Sequence, residues 1–391
     1  MHQDWLPAIV IIAYNRAHSL SRILGSLLQA QYPEGVQVPL VISIDKGDNA
    51  DVLSVAESYT WPYGTKEVIY QSENLGLKAH VLACGDLTEQ YGAAIVLEDD
   101  LYVSPYFYQY ARQGLAFYAD QPGIAGISLY THRANVHANN LPFIPIQDGN
   151  DVFFMQMPSS WGQVWTRAWW RPFRTWLETH GEIAPEERIS DFVRSWPPSS
   201  WLKHKIRYLV DRDLYYVYPR ISLATNFGDS GTNFVMNSTV YQVPILRGPM
   251  SWRLVSLSEA YARYDSFFEW DRKQLARWMP DLAGETVEFD CYGRKNHAQY
   301  DAQQWMVVAS DTPLPQAAQA FGLDLRPFEM NLVERISGQV LFLIRRQDLP
   351  ATVSAQRVLQ QYYYEQIPLG TAGQLTQKQL KNKFAHYLRR I

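Results

Sequence analysis

Two hydrophobic patterns alternate along the first half of this chain. Ala8-Ile9-Val10-Ile11-Ile12-Ala13, Leu40-Val41-Ile42-Ser43-Ile44, Glu67-Val68-Ile69-Tyr70, Ala93-Ala94-Ile95-Val96-Leu97 and Ile124-Ala125-Gly126-Ile127-Ser128 are short apolar runs that read as strands. The run from Ala93 fits a strand buried on both faces. Between the runs the spacing turns helical. Leu20, Ile23, Leu24, Leu27 and Leu28 form one stripe, which Pro33 and Gly35 close. A short helix ends near Trp61-Pro62, another extends from Leu77 to about Tyr91, and a third from Pro105 to Ala119. Strands alternating with helices predict an α/β fold: a mixed, mostly parallel sheet with helices on both faces.

Near residue 250 the pattern changes. A helical stretch is expected from Trp252 to Met279, ended by Pro280, and Thr286–Cys291 alternates like a half-exposed strand. Trp305–Val308 and Val340–Ile344 are its expected partners, and Ala351–Tyr364 and Leu375–Leu388 are expected helices. The division is therefore 1–250 for the α/β unit and 251–391 for a C-terminal α+β appendage. The last helix sets Lys378, Lys381, Lys383, Arg389 and Arg390 beside Leu380, Phe384, Tyr387 and Leu388. That suits either a docked terminal helix or one lying on a membrane surface.

Composition narrows the classes. The net charge is −4 and no basic block is present, which argues against nucleic-acid binding. The two cysteines, Cys84 and Cys291, make no disulfide framework and favour a reducing compartment. The start of the chain lacks the basic and apolar regions of a signal peptide, and no run approaches a membrane span of ~20 apolar residues. The expectation is a cytoplasmic protein, with peripheral membrane contact left open and no sign of the oligomeric state. The 13 Trp and 25 Tyr suit sugar stacking, core packing and interfaces alike. The first strand is followed by Tyr14-Asn15-Arg16-Ala17 rather than a glycine-rich turn, and no P-loop is present. A bound nucleotide must therefore have its diphosphate held by side chains and a metal.

Polar residues follow the strands: Asn15, Asp45, Asn74 and Asp100. In a parallel sheet such ends gather on one edge. The densest group is Glu98-Asp99-Asp100, where strand alternation would turn Glu98 and Asp100 one way and Asp99 the other. Three adjacent acids repel one another, and Mg²⁺ or Mn²⁺ would relieve that repulsion. A solvated acidic turn is the plainer reading, and for Asn15, Asp45 and Asn74 so is helix capping or turn formation.

The ordered set Ile11-Ile12-Ala13-Tyr14-Asn15-Arg16, Ser43-Ile44-Asp45, Asn74-Leu75-Gly76 and Leu97-Glu98-Asp99-Asp100-Leu101 resembles glycosyltransferase family 2, of the GT-A type. Val96–Phe107 resembles more closely the N-acetylglucosaminyltransferase I-like enzymes and related bacterial polysaccharide transferases. The resemblance covers roughly residues 7–250. It implies that Tyr14, Asn15, Arg16 and Asp45 hold the base and ribose of a nucleotide sugar, most often UDP-linked, with Asn74 and Lys78 nearby. It implies Asp100 as the direct metal ligand, and Glu98 and Asp99 on sugar or ribose hydroxyls.

Pro158-Ser159-Ser160-Trp161-Gly162 resembles the segment that lines the donor-sugar and acceptor pocket in those relatives, with Trp161 offering a ring face and Gly162 permitting close approach. Trp169, Trp170, Phe173 and Trp176, interleaved with Arg167, Arg171 and Arg174, read as a packed helix, the alternative being a surface for a lipid-linked acceptor. Asn226–Thr232 looks like the relatives' active-site loop, but their following histidine is here Asn233. Their aspartate before a tryptophan is also missing from Trp196-Pro197-Pro198-Ser199-Ser200-Trp201, which leaves Asp191 first and Asp229 second as the catalytic base; Asp211 and Asp213 read as a surface turn. The expected activity is metal-dependent, inverting transfer from a nucleotide sugar to a glycan or lipid-linked glycan, in bacterial surface polysaccharide or lipopolysaccharide assembly. The rivals are a nucleotidyltransferase, whose glycine-rich first loop is absent, and a transferase-like module that only binds glycan or protein.

Overall fold

The computed structural model describes residues 5–229, 241–351, 353–365, 367–368, 370–374 and 376–377. In the first stretch the chain runs β1 (Ala8–Ala13), α1 (Ala17–Leu28), β2 (Leu40–Ile44), α2 (Ala50–Ser58), β3 (Lys66–Tyr70), α3 (Gly76–Asp86), α4 (Thr88–Tyr91), β4 (Ala93–Glu98), β5 (Leu101–Val103), α5 (Phe107–Tyr118) and β6 (Ile124–Ser128). A small hairpin, β7 (Ala134–Asn135) and β8 (Leu141–Pro142), leads to β9 (Val152–Met155), β10 (Gln163–Thr166), α6 (Arg167–Thr179), α7 (Asp191–Arg194), α8 (Trp201–Asp211), β11 (Tyr215–Pro219) and β12 (Ala224–Asn226). Beyond residue 250 come β13 (Arg263–Tyr264), β14 (Val287–Asp290), β15 (Trp305–Ala309), β16 (Gln319–Phe321), α9 (Met330–Val333), β17 (Leu341–Arg345) and α10 (Ala355–Tyr364).

Nine strands make one sheet in the order β13-β9-β11-β6-β10-β4-β1-β2-β3. Strands β3, β2, β1 and β4 are mutually parallel, and β10 is antiparallel to both β4 and β6. This is the mixed, mostly parallel sheet expected from the alternating pattern. Alternate residues feed two cores. Ile9, Ile11, Ile42, Ile95 and Leu97 pack with Leu20, Ile23, Leu24 and Leu27 of α1 and with Tyr108, Ala111 and Leu115 of α5. Val10, Val41, Ala94 and Val96 face the opposite way, toward Val81 of α3, Trp170 and Phe173 of α6 and Ile206 of α8. Continuous apolar strands are what a sheet covered on both faces requires.

The aromatic helix settles as the packed reading: Trp169, Trp170, Phe173 and Trp176 are buried, while Arg171 and Arg174 reach back to Glu89 and Asp86. The surface for a lipid-linked acceptor is thereby excluded for these four rings. Within the sheet's helices the stripe on α1 stops one residue early, with Leu28 exposed, and the helix expected from Leu77 breaks at Leu87 into α3 and α4.

The expected helix from Trp252 to Met279 is not formed. The Asp265 carboxylate accepts the N–H groups of Phe267 and Glu269, Phe268 takes φ +67°, and β13 joins the sheet beside β9 instead. A short acidic side chain that captures nearby N–H groups competes with the helical ladder. Strand β14 is not half exposed either: Glu288 and Asp290 are both buried. Lys295 Nζ lies 3.0 Å from Glu288 and 2.6 Å from Asp265, while Asp290 accepts from the Arg294 and Lys295 N–H groups and meets His297 Nε2 at 2.7 Å. Buried charges persist when paired in this way. As expected, β14 pairs with β15 and β15 with β17, forming a second sheet with β16. Its Phe289, Val307 and Leu343 belong to the same hydrophobic core as Val10 and Trp170. The expected helix Leu375–Leu388, with its basic residues, lies outside the described residues apart from fragments.

Candidate functional site

In-register pairing brings the strand ends together. Ile12 of β1 stands beside Glu98 of β4, and Ala13 beside Ile44 of β2. Tyr14-Asn15-Arg16, Asp45 and Glu98-Asp99-Asp100 therefore emerge on one edge, at the carboxyl ends where open α/β sheets form their crevice.

Strand β4 ends at Glu98, and Asp99-Asp100 make a turn before β5. The turn breaks the strand alternation, so Asp99 and Asp100 do not face opposite ways. Arg16 clasps both: Nη2 donates to Asp99 Oδ1, and Nη1 to Asp100 Oδ2 at 3.0 Å. The other two oxygens, Asp99 Oδ2 and Asp100 Oδ1, are buried and have no hydrogen-bond partner among the described residues. Burial, opposed by the Arg16 charge, pushes the Asp99 carboxyl up to about 6. Burial and the charges of Asp100 and Asp99 push the Glu98 carboxyl upward, against the opposing charge of Arg16.

Asp45 is buried and caps α3 from a neighbouring strand. Its Oδ1 accepts from the Lys46 and Leu75 N–H groups at 3.0 and 2.8 Å, and its Oδ2 from Gly76 N–H at 3.0 Å. Behind it, Ser43 Oγ and His80 Nε2 share a 2.7 Å hydrogen bond. Asn74 Nδ2 donates to the Lys46 carbonyl and Asn49 Nδ2 to the Asn15 carbonyl, tying the loops after β1, β2 and β3 together. Asn15 Oδ1 is buried without a hydrogen-bond partner among the described residues. The helix-capping role is thus real for Asp45, and it leaves its carboxylate at the edge beside Asn15. Lys78 Nζ lies 3.0 Å from His204 Nε2, and burial lowers its pKa from the ordinary lysine range.

Strand β12 pairs with β5, and Phe227 N–H donates to the Asp100 carbonyl at 2.9 Å. This stitches the 224–229 segment to the acid turn. Asp229 is held by Ser19 Oγ at 2.7 Å and by the Arg22 guanidinium, which lies 3.9 Å over the Phe227 ring. Burial is the largest single influence on the Asp229 carboxyl and raises it, but the hydrogen bonds from Arg22 and Ser19 and the charges of Arg22 and Arg16 together outweigh it and hold the carboxylate below its usual range. Asp191 stands apart. Its carboxylate is fully exposed, 3.8 Å from Arg194, on a cavity of about 380 Å³ shared with Glu182, Lys203, Asn296 and Gln299. Asp211 and Asp213 carry the charge pairs of a surface turn, with Arg212 and Lys273.

Trp161 does not offer a bare face. Tyr130 and Tyr241 lie against it with ring centres 4.6 and 4.7 Å away, and His132 is at 5.8 Å. Gly162, at φ +92°, is where a side chain would press on Leu129 and Leu97. Ser230–Asn233, including the position of the relatives' histidine, lie outside the described residues. Ser19 and Arg22 were not legible as site residues: they read as ordinary polar positions of an amphipathic helix, and only the pairing of β12 with β5 brings Asp229 to them.

Fold and edge together define an α/β protein in which the acids, amides and Arg16 at the ends of β1, β2 and β4 gather on one edge of the sheet. No protein-family model matches the chain, and no curated protein matches it. Among solved structures it is similar to residues 1–349 of TarS from S. aureus, at 12% identity and a TM-score of 0.37, over 56% of this chain and 59% of that one. It is also similar to the mannosyltransferase PcManGT from Pyrobaculum calidifontis, in complex with GDP-Man and Mn²⁺, at 14% identity and 0.31, over 42% and 46%. The bifunctional WbbM matches at 13% and 0.20, over 26% and 20%. The chain thus spans less than two thirds of each of these structures.

Proposed function

We propose that this chain is a GT-A type glycosyltransferase, inverting and metal-dependent. It moves a sugar from a nucleotide donor, UDP-linked, to a glycan or lipid-linked glycan in bacterial surface polysaccharide or lipopolysaccharide assembly. The observation that carries the reading is the pair of buried, unpartnered oxygens Asp99 Oδ2 and Asp100 Oδ1, on the same edge as Asp45 and Asn15. Buried carboxylate oxygens are ordinarily satisfied, and an unsatisfied pair calls for a cation.

The residues fit Mn²⁺ or Mg²⁺. Asp100 would be the direct ligand, with Asp99 beside it, and a cation there would neutralise charge developing on a departing nucleoside diphosphate. Among the described residues no group of three or more His, Cys, Asp or Glu side chains is gathered to hold a metal ion. The remaining ligands would then be phosphate oxygens and water, as Mg²⁺ sites commonly use. On this reading Asp45 and Asn15 receive the base and ribose, Tyr14, Asn74 and Lys78 complete the donor edge, Glu98 contacts a hydroxyl, and Trp161 and Gly162 border the sugar. Residues 1–250 would form the transferase unit and 251–391 its appendage. Asp191 is taken as the base because its carboxylate is fully exposed and Arg194 approaches it no closer than 3.8 Å, whereas Asp229 is engaged by Ser19 and Arg22. We place the protein in the cytoplasm and leave peripheral contact with the inner membrane face open; among the described residues no helix is long and apolar enough to cross a membrane.

The test is donor turnover. With Mn²⁺ and a panel of UDP-sugars, the chain should release UDP and free or transferred sugar. Pyrophosphate release would indicate a nucleotidyltransferase, and failure to bind UDP at all would overturn the reading. UDP binding without turnover would favour the binding module, which the engagement of Asp229 also supports.

A further inference from the structure

The acid turn already holds a cation that belongs to the chain. Arg16 uses both terminal nitrogens on Asp99 and Asp100, one carboxylate each, and leaves each acid one buried oxygen without a partner among the described residues. The two acids and one guanidinium sum to a net charge of −1. The neighbouring Asp229 does not add to it, because Arg22 neutralises that carboxylate. Asp99 is almost completely enclosed, but the Arg16 side chain is 27% exposed and so borders the open side of the crevice. A guanidinium fork matches phosphate as well as it matches carboxylate. A divalent cation and this guanidinium would, however, repel each other if both sat on the same two carboxylates.

We infer that Arg16 is the resident counter-ion of the acid turn, and that it makes metal binding conditional on an anionic ligand. The inference rests on the donor-edge reading above. Without nucleotide, Arg16 occupies Asp99 and Asp100 and keeps divalent cations weakly bound. When a nucleoside diphosphate lies along the ends of β1 and β4, Arg16 transfers its hydrogen bonds to the phosphate oxygens. Asp99 and Asp100 would then be released from Arg16 and able to hold the cation. The order is enforced by charge: phosphate first relieves the acids of Arg16, and only then do they present two uncompensated charges. Arg16 is in this sense a positioning residue for the acids as well as a phosphate contact.

The experiment measures Mn²⁺ binding to the full chain by the loss of the free-ion electron paramagnetic resonance signal, with and without UDP. Three proteins are compared: the parent, Arg16→Gln and Arg16→Lys. Arg16→Gln should bind Mn²⁺ alone at least tenfold more tightly than the parent, while binding UDP more weakly. In the parent, saturating UDP should tighten Mn²⁺ by at least tenfold, and by linkage Mn²⁺ should tighten UDP by the same factor. Arg16→Lys keeps a point charge without the fork and should show a smaller gain in the same direction, which serves if the glutamine variant does not fold. Parental Mn²⁺ affinity in every variant that folds, measured without nucleotide, would overturn the inference; so would tight Mn²⁺ binding by the parent alone. A gain in Mn²⁺ affinity in Arg16→Gln with no UDP binding by any variant would keep the counter-ion role and overturn the donor-edge reading instead.

Discussion

Gly47 lies against Asn15 so closely that a β-carbon at Gly47 would stand 1.8 Å from Asn15 Oδ1. The loops after β1 and β2 are fitted to each other at this point, and the fitted atom is the buried carboxamide oxygen that has no hydrogen-bond partner among the described residues. Gly47→Ala should therefore displace Asn15. We expect UDP affinity to fall about tenfold, equivalent to ~1.4 kcal/mol, by calorimetry. Asn15→Ala should weaken UDP binding too, but adding Gly47→Ala to it should cost little more, because residues in contact are not additive.

Asp45→Asn retains shape but replaces one accepting oxygen with an amide N–H₂, which faces either the Gly76 N–H or those of Lys46 and Leu75. Loss of a helix cap costs about 1 kcal/mol, so thermal melts should fall by a few degrees. UDP binding should weaken more than the metal dependence changes. Parental UDP affinity alongside a lowered melting temperature would confine Asp45 to capping.

Asp100→Ala removes one unpartnered oxygen and one of the two acids that Arg16 holds. Mn²⁺-dependent UDP binding and turnover should disappear, while circular dichroism remains that of the parent. Unchanged Mn²⁺ dependence in calorimetry would remove Asp100 from the metal site.

Asp191→Asn removes a basic group and nearly preserves shape. General-base catalysis contributes about 10²–10⁴-fold, so kcat should fall by that much, with donor and metal binding nearly intact. Asp229→Asn, made in parallel, should chiefly loosen the contacts with Arg22 and Ser19 and lower stability. If the first variant is fully active and the second is not, Asp229 is the base.

Lys205 is fully buried, with its ammonium group between Trp170, Phe173 and Tyr208 and no hydrogen-bond acceptor among the described residues. Burial pushes it down to about 7. Between pH 7 and the ordinary lysine pKa of ~10.4, the unfolded chain holds a proton that the folded one releases. Lys205 therefore makes stability rise with pH across that window, and below it the cost of the buried charge is complete. Lys205→Met should stabilise the protein at pH 7 by up to about 4 kcal/mol, and flatten the rise in denaturant midpoint between pH 7 and 10.

The apolar runs were sufficient to read β1 to β4, and the polar residues after them marked the edge on which Asn15, Asp45 and Asp100 meet, because period and strand-end position are local properties. The facing of Asp99 and Asp100 was not legible. It depends on where β4 stops, and that is set by the turn into β5 and its pairing with β12, over a hundred residues away in sequence. Trp252–Met279 misread as helix for a related reason: Asp265 captures local N–H groups and Arg263–Tyr264 finds a sheet edge that no local pattern announces. Arg16 was expected as a nucleotide contact, and its partnership with the acids was not legible, since the distance in sequence between them hides the contact.

The core shared by the two sheets means that the last third of the chain is not a removable attachment. A protein ending at residue 250 would lose β13 from beside β9 and leave the backbone of that strand open to pairing with other chains. It would also uncover apolar surface that Phe289, Val307 and Leu343 now complete. Attempts to isolate a minimal donor-binding fragment by cutting there should yield aggregates, and a fragment for such work must instead be sought by keeping the chain through β17.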